Sequence, residues 1–175
     1  MAVDMKETIA RETIILLFDK KIKKLTVKDI VEACHITRQA FYYHFSDIPE
    51  LLQWLLQQKQ QEVLAECGEP EDAEGQIRNF LSLAVNAQPA IKKGLASNYG
   101  ETLERLLLQN MQDLFQQLIE RQGLLRDCTP FERSLLIRYH CQAVMGILRQ
   151  WSDQDTKHLD EIAHTIFLIV SRTVS

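Results

Sequence analysis

The sequence predicts an all-α protein with an N-terminal three-helix helix-turn-helix domain and a C-terminal helical domain. Apolar residues recur three and four positions apart through most of the chain, which is the spacing of amphipathic helices. Threonine and aspartate stand where such segments begin, as helix-capping residues do. Between Thr26 and Phe45 these signals predict two short helices joined by a tight turn. We place the domains at 1–46 and 47–175.

Composition excludes several classes of protein. The 175 residues are enough for one or two small cores. No apolar run reaches the roughly 18 residues of a membrane span, and the acidic N-terminus is unlike a secretory signal. The cysteines at 34, 67, 128 and 141 form no Cys-x-x-Cys pair. They read as reduced thiols of a cytoplasmic protein without a membrane partner.

Three helices are expected in the N-terminal domain. The first covers residues 4–20. In the second, Thr26 caps the start and Asp29 lies near the positive end of the helix dipole. A turn follows at His35-Ile36, and Thr37 caps the third helix. Its apolar residues, Ala40, Phe41 and Phe45, point back toward the second helix.

The third helix keeps a set of polar side chains out of the core: Arg38, Gln39, Tyr42, Tyr43 and His44. Such donors reach base edges and phosphates in DNA. The charge distribution favours the same interpretation, because residues 1–46 hold 8 Lys and Arg against 6 Asp and Glu, whereas the whole chain is −4. Four lysines, Lys20, Lys21, Lys23 and Lys24, stand just before the motif.

The C-terminal domain is expected to hold several helices. A long one runs from Ser46-Asp47 to about Glu66, and the segment from Gly68 to Ala73 breaks the chain. A helix then covers 72–86, Pro89 ends or restarts it, and a short helix covers 90–97. Helices over 101–122, 130–151 and 156–172 complete the chain, the second begun by Thr129-Pro130.

The last two helices carry more apolar surface than one small core can cover. This predicts a four-helix bundle with the same helices of a second copy. Ala143 and Gly146 are small, and small residues let helices approach closely. A glycine inside a helix is less stable than an alanine, so its presence there indicates close packing. The expected interface residues are Leu136, Ala143, Gly146, Ile147, Ile162, Ile166 and Ile169.

The N-terminal third resembles the TetR family of bacterial transcription regulators. The matching residues are Thr26-Val27, Asp29-Ile30, Ala33, Ile36-Thr37, Phe41 to Phe45, Asp47 and Leu51-Leu52. The form Arg-Gln-Ala-Phe-Tyr-Tyr-His-Phe is most similar to regulators of dihydroxyacetone kinase genes. The resemblance implies that Arg38 and Gln39 read bases while Thr37, Tyr42 and His44 hold phosphates. Thr26 and Tyr43 complete the expected DNA contacts.

Two positions depart from the family pattern. His35 stands where the family usually has the glycine of the turn. A positive φ is uncommon for a residue other than glycine, although histidine tolerates it better than most. Ile48 stands where the family has a lysine that holds a phosphate, so we expect Ile48→Lys to tighten DNA binding.

Catalytic and metal sites are not predicted. The histidines and cysteines lack the spacing of zinc ligands, and no nucleophile is paired with a base. We therefore expect neither an enzyme nor a cofactor. A pocket for an effector is expected in the C-terminal domain, although each residue could equally be plain core: Phe80, Tyr99, Met111, Phe115, Tyr139 and His140.

The sequence thus predicts a regulator that binds a two-fold operator as a homodimer and responds to a small-molecule or protein effector. One alternative is a co-activator or adaptor that acts through a protein partner. Another is a ligand carrier with a vestigial DNA-binding domain, which the departures at His35 and Ile48 would suit.

Overall fold

The computed structural model describes residues 4–18, 24–66, 73–122 and 125–174. Within these ranges the chain is helical and contains no strand, which confirms the all-α prediction. The helices are α1 (Met5–Phe18), α2 (Val27–Ala33), α3 (Arg38–His44), α4 (Ile48–Glu66), α5 (Ala73–Leu95), α6 (Gly100–Gln122), α7 (Pro130–Arg149), α8 (Asp153–Lys157) and α9 (Leu159–Val174). No described helix is long and apolar enough to cross a membrane.

The chain forms two compact units. Unit 1 comprises residues 1–58 and 88–107, and unit 2 comprises residues 59–87 and 108–175. Helices α4, α5 and α6 each contribute residues to both. The division predicted from the sequence, 1–46 and 47–175, remains a prediction about the extent of the DNA-binding domain, because the compact units are defined by packing alone.

Unit 1 is built around one core that the first four helices share. Apolar side chains at helical spacing supply it: Ile9, Ile30, Phe41, Phe45, Ile48, Leu51 and Leu52 are each at most 4% exposed. Leu106 of α6 joins the same core. Burial of a side chain of this kind stabilises a fold by about 1.5–3 kcal/mol. The core therefore fixes the angle between α2 and α3.

Unit 2 has two apolar clusters. One surrounds Leu81, Trp151, Ala163 and Ile166, and the other surrounds Met111, Ile137, Cys141 and Val144. Helix α7 begins as the sequence predicted: Thr129 and Glu132 form a capping box, and Pro130 occupies the first turn.

Two expectations about helix ends were wrong. Pro89 neither ends nor restarts α5, and the separate helix over 90–97 does not exist, because α5 runs through Pro89 to Leu95. Proline lacks the N–H that would bond the carbonyl group of Val85 one turn earlier, and Pro89 itself lies at an exposed position of the helix. The expected helix over 156–172 is divided instead: Ser152 and Asp155 cap the short α8, and α9 begins at Leu159.

Candidate nucleic-acid interface

The start of α2 is fixed by Thr26 and Asp29. The Thr26 N–H donates to Asp29 Oδ2 over 2.9 Å, the Thr26 hydroxyl donates to the same oxygen over 2.6 Å, and the Asp29 N–H donates to Thr26 Oγ1 over 3.3 Å. This capping box satisfies donors that the first helical turn leaves free. Because both donors of Thr26 are engaged, Thr26 would have to release Asp29 before it donated to a phosphate.

The turn between α2 and α3 depends on His35. Its φ is 54°, in the left-handed region that favours glycine. The Ile36 N–H donates to the Val31 carbonyl over 3.0 Å, and the His35 N–H donates to the Glu32 carbonyl over 3.3 Å. This is a Schellman ending, and the residue after its cap has to be left-handed. The sequence located this position correctly, and histidine occupies it with an exposed side chain.

Helix α3 is anchored by its cap and by its inner face. The Thr37 hydroxyl accepts from the Ala40 N–H over 3.1 Å, which leaves the hydroxyl hydrogen able to donate. Phe41 and Phe45 are 0% and 2% exposed, and their ring centroids lie 6.1 Å apart. Trp54 of α4 meets Phe45 edge-on at 5.8 Å. Aromatic packing on this side therefore sets which side of α3 faces outward.

The outer face of α3 carries the side chains that the sequence singled out. Tyr42 is 54% exposed and Tyr43 is 84% exposed, and both Arg38 and Gln39 are also exposed. His44 is half-buried and lies edge-on to Tyr43, with 5.1 Å between ring centroids. Arg38 and Tyr42 are one helical turn apart, as are Gln39 and Tyr43. Two turns of helix thus present guanidinium, amide and phenol groups side by side.

The start of α4 places Ile48 inside the protein. Ile48 is 1% exposed and belongs to the core of unit 1. A lysine there would have its stem inside the core, so Ile48→Lys would also lower stability, and tighter DNA binding by that variant stays a prediction. The cap at this end comes from polar neighbours: the Glu50 N–H donates to Asp47 Oδ1 over 2.8 Å. The Ser46 hydroxyl and N–H bond the Glu50 carboxylate and lower its pKa.

The lysine cluster before the motif falls mostly outside the described residues. Lys20, Lys21 and Lys23 lie there, whereas Lys24 is described and exposed. Cys67 also lies outside. Among the described residues, no three His, Cys, Asp or Glu side chains are grouped so that they could hold a metal ion.

The residues predicted for an effector pocket do not all lie together. Phe80, Met111 and Phe115 share one apolar cluster of unit 2. His140 is 6% exposed, and burial lowers its pKa. Tyr139 is 64% exposed, and Tyr99 packs against the core of unit 1. Sequence reasoning missed Gln60 of α4, which is 6% exposed and accepts a hydrogen bond from Asn110 Nδ2 over 2.9 Å.

The residues predicted for a dimer interface divide between core and surface. Ile166 is buried and Ile162 packs against the same cluster, so both serve unit 2 itself. Leu136 and Gly146 are half-buried, and Ala143, Ile147 and Ile169 are exposed. The structure adds exposed residues that the prediction left out: Phe131, Leu135 and Leu168. For Phe131 and Leu135 the signal in the sequence is a four-residue spacing along α7, from Phe131 to Ile147.

Known proteins share both the motif and the fold. The family model of bacterial regulatory proteins of the tetR family matches residues 9–54. A relative, the HTH-type dhaKLM operon transcriptional activator DhaS of Lactococcus lactis subsp. lactis (strain IL1403), is 23% identical over 156 residues, which is 85% of this chain and 82% of the relative. A solved structure, the dihydroxyacetone kinase operon activator DhaS, matches with a TM-score of 0.66 at 19% identity. That match covers 99% of this chain and 97% of the other. At that identity the structural likeness shows the fold alone.

Proposed function

We propose that this chain, whose residues 9–54 match the tetR family of bacterial regulatory proteins, is a DNA-binding transcriptional regulator of that type and binds a two-fold operator as a homodimer. It acts in the cytoplasm by binding and not by catalysis. The observation that carries the proposal is the outer face of α3, where Tyr42 and Tyr43 are exposed opposite the fully buried Phe41. The adaptor alternative is not favoured, because the family match covers the DNA-binding motif itself.

Each exposed side chain of α3 has a distinct role in the proposal. Arg38 and Gln39 stand in the first turn, which in helix-turn-helix proteins contacts base edges. The forked guanidinium of Arg38 suits guanine, and the amide of Gln39 suits adenine. Thr37 and Tyr42 donate hydroxyl groups to phosphates. His44 donates from its ring, and Tyr43 contacts base or backbone.

The proposed dimer face lies on α7 and α9. Helix α7 is apolar on two sides: Ile137, Cys141 and Val144 are buried, while Phe131 and Tyr139 are 72% and 64% exposed. The exposed stripe continues four residues at a time through Ala143 to Ile147. A Cβ at Gly146 would meet no atom within 4 Å, so nothing in the described part of the chain gives that glycine a packing reason. A second copy against this stripe supplies one.

A second subunit also serves DNA recognition. Proteins that bind two-fold DNA sites place their two recognition helices about one turn of DNA apart, and a symmetric dimer provides that spacing. The exposed residues proposed for the face are Leu135, Tyr139, Ala143, Ile147, Leu168 and Ile169. Leu136 and Gly146 border it.

We place the effector site in unit 2. The observation that favours it is a buried amide: Gln60 Nε2 has no hydrogen-bond partner within the described part of the chain, while Gln60 Oε1 is bonded to Asn110. A buried donor without a partner costs about 1–3 kcal/mol, and a ligand acceptor would recover that cost. An effector that binds more tightly to the dimer with one spacing of its recognition helices would shift the dimer toward that spacing.

The effector site is tested by thermal unfolding of the wild type and of Gln60→Leu against a set of metabolites. We expect a compound that raises the melting temperature of the wild type and not that of the variant. An equal rise in both proteins would place the compound elsewhere.

The relative named as a dhaKLM operon activator suggests the regulated genes and the sign of regulation. We propose that this chain activates genes for dihydroxyacetone kinase. An electrophoretic shift tests this, with DNA from upstream of such genes and a shuffled duplex of equal composition as control. A shift of the upstream duplex alone supports the proposal. Equal shifts of both duplexes, or none, would contradict it.

A further inference from the structure

The corner between α5 and α6 has a conformation that its own residues impose. The Ser97 hydroxyl donates to the Gly94 carbonyl over 2.6 Å, and the Gly100 N–H donates to the Ser97 carbonyl over 3.1 Å. A Cβ at Gly100 would lie 2.1 Å from the Leu95 carbonyl oxygen, so only glycine fits without movement. The corner therefore fixes the backbone positions of Asn98 and Tyr99.

Asn98 bonds the backbone just before the helix-turn-helix. Its Oδ1 accepts from the Leu25 N–H over 2.9 Å, and its Nδ2 donates to the Leu25 carbonyl over 3.3 Å. Leu25 is 2% exposed and directly precedes Thr26, which caps α2. Because Leu25 precedes the helix, neither backbone group has a partner in the ladder of α2. One side-chain amide thus satisfies both.

Tyr99 extends the contact toward α3 and α4. Its ring packs against the core of unit 1. Burial is the main cause that raises the pKa of Tyr99, the charges of Asp47 and Tyr42 raise it further, and a side-chain hydrogen bond with Asn98 lowers it. Leu106, in the helix α6 that follows Tyr99, is buried in the same core. The corner is therefore held by apolar packing even without the Asn98 bonds.

We propose that Asn98 is a positioning residue for DNA recognition, whose two hydrogen bonds to Leu25 fix the start of α2 and thereby the direction in which α3 meets the groove. The inference rests on the proposed DNA-binding function. A recognition helix must hold its side chains within a fraction of an ångström of base edges, whereas phosphate contacts tolerate small shifts. Loss of Asn98 therefore weakens specific binding more than general binding.

The test uses full-length protein and two DNA probes. The wild type first enriches a duplex from a random-sequence pool, and a shuffled version serves as the non-specific probe. Asn98→Ala removes both hydrogen bonds, and Asn98→Gln keeps the amide on a longer side chain. Asn86→Ala, at an exposed position of α5, is the matched control. Hydrogen exchange of the Leu25 amide reports the contact directly.

We expect Asn98→Ala to lower the ratio of specific to non-specific affinity by roughly 3- to 10-fold. Exchange at the Leu25 amide should accelerate, Asn98→Gln should recover part of the ratio, and Asn86→Ala should match the wild type. An unchanged ratio would overturn the positioning role even if exchange accelerates, and unchanged exchange would show that the contact does not form. If the wild type enriches no duplex, the proposed DNA binding fails, and this inference falls with it.

Discussion

Helices α3 and α7 each pair a buried face with an exposed one, but the exposed faces differ in chemistry. On α3 the outer side chains are polar or amphipathic, led by Arg38 and Tyr42, opposite the buried Phe41. On α7 the outer stripe is apolar, led by Phe131 and Tyr139, opposite the buried Ile137. Both helices show residues that the fold of one chain does not use.

The difference indicates two kinds of partner. Polar donors on α3 remain solvated until phosphates and bases replace water, so their binding is reversible and depends on salt. The apolar stripe on α7 is stabilised when another apolar surface covers it permanently, as in interfaces between subunits. The predictions below concern these two faces and two positions that support α3, Ile48 and His35.

The largest expected effect comes from a charge on the α7 stripe. Ala143→Arg places a guanidinium between two copies, and we expect monomers whose operator affinity falls by more than about 100-fold, or about 3 kcal/mol. The fold should persist, because Ala143 is exposed in the single chain. Sedimentation velocity at low micromolar concentration measures the change.

Asp113→Arg, at an exposed position of α6, is the control for added charge. A wild type that sediments as a monomer would contradict the dimer, and so would an Ala143→Arg variant that remains dimeric.

The next effect concerns the core behind α3. Ile48→Lys introduces an ammonium group at a position that is 1% exposed, and we expect the free energy of unfolding to fall by about 2–3 kcal/mol. Urea unfolding followed by circular dichroism measures it. A variant as stable as the wild type, with a steeper salt dependence of DNA binding, would show that a lysine at this position reaches a phosphate without a cost to the core.

A smaller effect distinguishes base contacts from phosphate contacts on α3. Arg38→Ala should cost about 1–3 kcal/mol on the operator and relax base preference, because arginine is the commonest reader of guanine. Tyr42→Phe removes one hydroxyl and should weaken operator and random DNA alike. Fluorescence anisotropy with both duplexes measures each variant. If Arg38→Ala loses equal affinity for both duplexes, Arg38 contacts the DNA backbone and not the bases.

The smallest effect concerns the turn. His35→Gly removes the strain of a side chain at φ 54°, and we expect stabilisation by about 0.5–1 kcal/mol. Thermal unfolding shows it as a higher melting temperature. A lower melting temperature would mean that the histidine side chain contributes contacts that outweigh the strain.

Local chemistry accounts for what the sequence predicted well. The capping boxes at Thr26 and Thr129 involve residues three apart, so they can be read directly from the chain. The left-handed turn at His35 was expected from the family pattern, which usually has a glycine at that position. The box of Ser152 and Asp155 is equally local, and it starts a helix at Asp153, before the predicted start at 156.

What the sequence could not predict depends on distant contacts. Asn98 and Leu25 lie 73 positions apart, and no spacing rule connects them. Tyr99 was assigned to an effector pocket because it is aromatic, but the fold packs it against the core of unit 1. Continuation of α5 through Pro89 likewise overrides a local rule.

Selection of duplexes from a random-sequence pool by the wild-type protein tests the central claim most directly. A dimer that reads DNA through two copies of α3 should enrich inverted half-sites whose centres lie about 10 base pairs, or a multiple of that, apart. Enrichment of single half-sites without a repeat would contradict the dimer on the operator. A pool that stays random would contradict DNA reading by α3 altogether.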